Sequence, residues 1–363
     1  MSPAERLMAR LEAASDGSVV PDVLQPVDLF VELAGEEFKK RLFLTEGADG
    51  EAMCLRPDFT IPVCLEHLRA GRDAPSVYHY RGKIFRKRRM IGVPEFEQAG
   101  TEWIGHRDEI AADADLFALA MECAGAIGLE PQIRVGDAHM FTGLIEALEL
   151  PASWRERLRA AFGDPARLAA TLARLTDNAG ADGLAARLAP ALAHVDAAQA
   201  RAIVEAVVGL PQPTATGRTS ADIAERILEQ IAGTRAQTDT APLIERYISI
   251  AVPLARAADT LAAYAREAGV DLSAAIEAFA RRTDALAARG IDTDSLAFEA
   301  SFGRRLNYYT GFVFDMVDPA APDAEVIAGG RYDRLMAILE PEKPLPATGF
   351  SVWLDRIGNG SPA

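Results

Sequence analysis

The chain has 363 residues, 49% hydrophobic and 25% charged, with a mean hydropathy of +0.03. This is a globular composition, long enough for about two domains and for a core that needs no disulfide or metal staple. Its 38 Lys and Arg against 53 Asp and Glu leave a net charge of −15 and a pI near 4.9, which repels phosphate backbones and argues against bulk nucleic-acid binding.

In chain order, MSPAERLMARLEAASDG reads as an amphipathic helix with Leu7, Met8 and Leu11 on one side. It lacks the apolar run of a secretory signal, and no stretch of 18 apolar residues is present to span a membrane. Arg41–Thr45 and Glu51–Leu55 flank the turn-rich EGADG and predict a hairpin. Ser76–Phe85 and Phe96–Ile104, rich in aromatic and β-branched residues, predict a second hairpin with the basic segment Arg86–Arg89 in its loop. Asp108–Gly128 has an acidic start, Ile110, Leu116, Phe117 and Ala120 at helical spacing, and a closing glycine; it predicts a helix. Pro131–Val135 predicts a short strand.

Residues 151–290 are Ala- and Leu-rich, with helical periodicity and no convincing strand. Strand character returns in Leu296–Ser301, Gly311–Val317, Glu325–Ala328 and Ala347–Leu354, with GGRYDRLMAIL opening a helix. Short polar turns between consecutive strands favour an antiparallel sheet over βαβ units. Neither a GxGxxG nor a GxxxxGK[ST] nucleotide motif is present. The expected architecture is α+β, with residues 1–150 and 291–363 forming one core and 151–290 a helical insertion domain. Cys54, Cys64 and Cys123 form no CxxC pair, and the five histidines show no HxxxH or HExxH spacing. The chain is therefore expected to be cytoplasmic, without a disulfide framework, a metal or another cofactor.

Four segments carry more specific information. They are LRPDFT (Leu55–Thr60), YRGKIFRKRR with FEQAGTEWIG (Tyr80–Gly105), RRLNYYTGFVF (Arg304–Phe314), and AGGRYDRL with TGFSVWLDR (Ala328–Arg356). In the same order they resemble the LRPEGT, FHQLGVEVFG, RGLDYY and AGGRYD motifs of the histidyl-tRNA synthetase family. VVPDVLQPVDLF (Val19–Phe30) resembles the proline-containing first motif of class II synthetases, which in that family builds the dimer interface. The resemblance implies a class II aminoacyl-tRNA synthetase-like antiparallel sheet flanked by helices, with an all-helical insertion. It also implies a pocket for histidine. Asp58, Thr60 and Gln98 would hold the α-ammonium and Arg304 the carboxylate, while Glu102 with Tyr309, beside Tyr308, would read the imidazole. The residue types suit that ligand, because an ammonium and a ring N–H need acceptors and a carboxylate needs a cation.

Departures from the family are equally informative. In the FRxE motif of the ATP site the Arg is kept as Arg86, but the Glu is replaced by Arg88. The closing GLER reads Trp353-Leu354-Asp355-Arg356, so a large ring stands where the family has a glycine, although Arg356 is retained. Phe59, Arg305 and Asn307 replace two glycines and an aspartate around the amino-acid pocket. Synthetases continue into an anticodon-gripping domain, whereas this sequence ends seven residues after Arg356. Together these features resemble a paralogous branch, the regulatory subunits of ATP phosphoribosyltransferase, which act with a short-form catalytic subunit at the first step of histidine biosynthesis. That resemblance implies a non-catalytic chain with no catalytic residues. The chain would activate its partner, bind L-histidine for feedback inhibition, form a homodimer within a hetero-octamer, and engage neither tRNA nor membrane. Two alternatives stay open, a truncated histidyl-tRNA synthetase and a stand-alone histidine-binding sensor; Arg88 and Trp353 discriminate against the first.

Overall fold

The computed structural model describes residues 1–34, 36–72, 74–87, 95–176, 188, 197–208, 240–304, 308–322 and 324–357. Arg88, Arg305 and Asn307 lie outside them. Two sheets are formed. The small one is antiparallel in the order β2 (Leu24–Pro26), β4 (Ala52–Leu55), β3 (Leu44–Glu46). Its β3–β4 hairpin is the one the EGADG turn predicts, but Arg41–Phe43 precede the strand and do not extend it.

The large sheet has nine strands. Along it lie β1 (Gly17–Ser18), β5 (Ser76–Phe85), β6 (Glu95–Ile104), β12 (Ala347–Trp353), β11 (Glu325–Arg331), β10 (Phe312–Val317), β7 (Gln132–Asp137), β9 (Ala297–Glu299) and β8 (Ala251–Pro253). Every pairing from β5 to β7 is antiparallel. The outer β1–β5 and β7–β9 pairs are parallel. Neither pair is joined by a tight hairpin, so the connection does not dictate the direction of these short strands.

Two other expectations need correction. Ala251–Pro253 is a strand inside the stretch read as purely helical; it is three residues long, sits on the sheet edge and ends in a proline, which an edge tolerates. Gly329–Arg331, read as the start of a helix, continue β11, and the helix begins at Asp333. The glycines are needed there because the strands approach closely: a Cβ on Gly329 would lie 2.3 Å from the Gly349 carbonyl oxygen. Gly330 also has φ +151°, a backbone angle other residues rarely adopt.

Period-2 alternation separates the two faces of the large sheet. On one face lies the Glu109–Ile127 helix, capped by the Asp108 carboxylate accepting from the Ala111 amide at 3.0 Å and closed by Gly128 in the left-handed region. It packs with the Pro3–Ala13 and Ser273–Ala288 helices around Leu7, Leu11, Leu116, Phe117, Phe279, Phe314 and Phe350. A buried ion network ties these parts together. Arg282 donates to Asp113 at 2.9 Å and to Asp137 at 2.8 Å, while Arg331 of β11 donates to the other oxygen of Asp113 at 3.0 Å. On the opposite face the Thr60–Arg69 and Asp333–Leu339 helices enclose a second cluster that includes Phe59, Ile61, Cys64, Tyr78, Tyr80, Tyr308, Tyr332 and Trp353. Among the described residues, no helix is long and apolar enough to cross a membrane.

Candidate functional site

Strand register assembles a polar site on this second face. Glu102 of β6 sits opposite Tyr78 of β5 and opposite Gly349 of β12, so all three share one face. Gln98, four residues earlier, faces the same way opposite Gly82 and Trp353. Glu102 is buried, and its carboxyl accepts from Thr60 Oγ1 at 2.8 Å, from Tyr80 at 3.3 Å and, at its other oxygen, from the Tyr332 hydroxyl. Burial pushes its pKa up to about 8; the three hydroxyls oppose this rise and the negative charge of Asp58 adds to it. The Tyr80 and Tyr332 phenols are themselves buried and titrate well above the ordinary range, so they remain donors. Gly349 makes room for the carboxyl, since a Cβ there would lie 1.8 Å from Glu102 Oε2.

Asp58 stands just before the Thr60–Arg69 helix, and its Oδ1 accepts from the Ile61 amide at 3.3 Å. Its Oδ2 is buried without a hydrogen-bond partner among the described residues. Burial raises the pKa of this carboxyl, with Arg86 and the Ile61 amide pulling the other way. Tyr308, Tyr309 and Tyr332 form an aromatic wall, with ring centroids 5.0 to 6.3 Å apart. Arg304 lies 5.9 Å from the centroid of the Tyr309 ring. Burial works against its charge, but Tyr309, Glu325 and Asp315 outweigh that and hold its pKa above the usual value. Arg304 and Tyr309 also line a cavity of about 630 Å3, together with His139, Thr142 and Arg334.

Thus Thr60, Tyr80 and Tyr332 converge on Glu102, with Tyr308 and Tyr309 against the Tyr332 ring, Asp58 two residues before Thr60 and Gln98 on the same sheet face, while Arg304 and Tyr309 line the cavity. Three further contributors escaped sequence reasoning. Tyr332 stands inside the AGGRYD motif, Tyr80 alternates with Tyr78 in SVYHY, and Gly349 lies in TGFSVW; only register shows that all three converge on Glu102. Phe59, which replaces a glycine of the synthetase motif, is fully buried and stacks on Tyr80 at 4.4 Å, with the Arg56 guanidinium 4.4 Å from its ring.

The neighbouring region is filled by side chains of the chain itself. Trp353 is buried, edge-on to Phe96 at 5.5 Å. Two guanidiniums lie over its ring, Arg86 at 5.4 Å and Arg356 at 4.3 Å. Arg86 donates from Nε to the Pro57 carbonyl at 2.5 Å. Arg356 donates to the Glu325 carbonyl and lies 3.5 Å from the Glu325 carboxylate. The two arginines that resemble a nucleotide's phosphate ligands are thereby engaged inside the protein. Arg88, the third position of that set, lies outside the described residues.

Comparisons with known proteins identify the family and the fold. The sequence model of the family described as histidyl-tRNA synthetase matches residues 4–243 and 224–357. The chain is 40% identical over 359 residues to the ATP phosphoribosyltransferase regulatory subunit of Brucella anthropi, covering 97% of this chain and 95% of the relative. It is 39% identical over 357 residues to the protein of the same name from Brucella ovis, again with 97% and 95% covered. Among solved structures it resembles an ATP phosphoribosyltransferase regulatory subunit/histidyl-tRNA synthetase from Bacillus halodurans, with TM-score 0.63, 18% identity, and 98% of this chain and 77% of that one covered. A histidyl-tRNA synthetase from Nostoc gives TM-score 0.63 at 16% identity, with 98% and 69% covered; at such identities the likeness concerns the fold alone. By sequence over nearly its full length, and with a histidyl-tRNA synthetase-like fold, the chain belongs to the family of ATP phosphoribosyltransferase regulatory subunits.

Proposed function

We propose that this chain is a cytoplasmic, non-catalytic regulatory subunit. It activates a short-form ATP phosphoribosyltransferase catalytic subunit, and L-histidine bound in the Glu102 pocket reverses that activation. The observation that carries the ligand is the pair of buried carboxyls of Glu102 and Asp58 beside the Tyr308, Tyr309 and Tyr332 rings, with the Arg304 guanidinium 5.9 Å from the Tyr309 ring. Asp58 Oδ2 supplies a vacant acceptor for the α-ammonium, Glu102 meets an imidazole nitrogen, and Arg304 takes the carboxylate. Discrimination follows because a ligand without these groups leaves buried polar atoms unpaired. Trp353 between Arg86 and Arg356 supports a role without ATP chemistry and disfavours a truncated synthetase. A homodimer of this chain inside a larger hetero-octamer, binding no tRNA, completes the reading; the net charge of −15 supports the last point.

The test is calorimetry with L-histidine. Glu102→Gln and Arg304→Ala should each weaken binding at least about tenfold, the loss of one matched buried hydrogen-bond partner of the ligand. Wild-type affinity in both variants removes the pocket assignment. Histidine-dependent ATP–pyrophosphate exchange by the wild-type chain would instead revive the synthetase reading.

A further inference from the structure

Asp333 closes the AGGRYD motif, opens the Asp333–Leu339 helix and stands next to Tyr332 of the pocket. Its carboxylate ties separate parts of the chain together. Oδ1 accepts from the Ala347 amide, at the start of β12, at 2.7 Å and from Arg331 Nη1 of β11 at 3.0 Å. Oδ2 accepts from the Thr310 hydroxyl at 3.4 Å, and the same hydroxyl accepts from the Asp333 amide at 3.2 Å. Two backbone bonds run alongside: the Thr310 amide donates to the Arg331 carbonyl at 2.9 Å, and the Tyr332 amide to the Ala347 carbonyl at 2.8 Å. Each partner adjoins a residue of the pocket. Thr310 follows Tyr309, Arg331 precedes Tyr332, and Ala347 lies two residues before Gly349, whose missing side chain admits the Glu102 carboxyl. The sheet ladders stop short of the three rings, because β10 begins at Phe312 and β11 ends at Arg331. Arg331 is itself anchored, donating to Asp113 at 3.0 Å and to the Glu109 carbonyl at 2.9 Å. The Asp333 carboxylate is thereby fastened to the packed face behind the sheet.

We propose that Asp333 is a positioning residue of the amino-acid pocket: through Thr310, Arg331 and Ala347 it holds the Tyr308 and Tyr309 segment, Tyr332 and the Gly349 gap in one arrangement before a ligand arrives. It acts through these neighbours and not by contact with the ligand. The gain is preorganisation, since rings already fixed need not be ordered when the ligand binds. The proposal rests on the reading of this face as the histidine pocket. The Thr310 link is the part that can be cut alone: Thr310→Val keeps the shape of the side chain, removes the hydroxyl that both donates to and accepts from Asp333, and leaves the Arg331 and Ala347 bonds in place.

The test combines calorimetry with L-histidine and amide hydrogen exchange of residues 308–312, on the full chain. Thr310→Val and Asp333→Asn are each expected to bind L-histidine about fivefold to tenfold more weakly, the cost of ordering one or two aromatic side chains on binding. Thr310→Ser, which keeps the hydroxyl, should bind as the wild type does. The double variant should be no weaker than Asp333→Asn alone, because the two residues form one link. Exchange at 308–312 should be faster in Thr310→Val than in the wild type. Wild-type affinity in both Thr310→Val and Asp333→Asn overturns the proposal, as do losses that add in the double variant or a loss in Thr310→Ser equal to that in Thr310→Val. If Asp333→Asn does not fold, Thr310→Val against Thr310→Ser decides. If the wild type binds no histidine, the pocket reading falls, and exchange alone decides the positioning: equal rates in Thr310→Val and wild type overturn it.

Discussion

At the scale of single residues, Glu102 sets the behaviour of the pocket. Its folded pKa of about 8 lies above the ordinary carboxyl value of 4.5, so between those pH values the folded chain keeps a proton that the unfolded chain has released. The carboxyl's favourable contribution is therefore complete below about pH 4.5 and lost as pH rises through about 8. Glu102→Gln, which cannot ionise, should remove this dependence. Denaturation of both proteins from pH 5 to 8.5 should show the variant gaining on the wild type as pH rises, and parallel curves would contradict the assignment. Gly349 is the steric complement of Glu102. Gly349→Ala should cost about 1–3 kcal/mol from overpacking and abolish histidine binding, because the new methyl occupies the position of Glu102 Oε2. Wild-type stability and affinity in that variant would show that the register does not bring the two residues together. Trp353→Ala should cost about 3–5 kcal/mol, the range for emptying a buried aromatic site, readable as a lower midpoint in urea.

At the scale of elements, the second hairpin and the long helix were legible because each carries redundant local signals. Ser76–Phe85 reads as a strand from composition and is one residue for residue, and Asp108 and Gly128 mark the ends of the Glu109–Ile127 helix. What local pattern could not give was partnership. Ala251–Pro253 is too short to show a period between helical stretches, and GGR looks like a helix start until Gly329 is seen to be wedged against β12. The ion network is likewise invisible in sequence, since Asp113, Asp137, Arg282 and Arg331 are spread across 219 positions. It makes the Ser273–Ala288 helix part of the same packed unit as β11. Arg282→Met should cost about 3 kcal/mol, because Asp137 loses its buried cation; Asp113 retains Arg331. An unfolding free energy within 0.5 kcal/mol of wild type would show that these charges are solvated rather than mutually compensated.

At the scale of the whole molecule, the motifs gave the family and register brought the candidate residues together. LRPDFT, FEQAGTEWIG and AGGRYD lie far apart in sequence; the antiparallel run from β5 to β11 brings Glu102 and Tyr332 together, and the Thr60–Arg69 helix packed on that face brings Thr60 into hydrogen-bonding contact with Glu102. Feedback through such a pocket requires that histidine bind two arrangements of the assembly unequally, a coupling of about 1–3 kcal/mol in ordinary allosteric proteins. Arg331 and Tyr332 offer a physical link: neighbouring residues, one in the buried ion network and the other on Glu102.

The most direct measurement is ATP phosphoribosyltransferase activity of the same organism's short catalytic subunit, with and without this chain, across a histidine titration, using wild type and Glu102→Gln. The account predicts activation by both proteins, reversed by histidine in the wild type and resistant to it in the variant. Absence of activation by the wild type, or histidine inhibition of equal strength with Glu102→Gln, would contradict it.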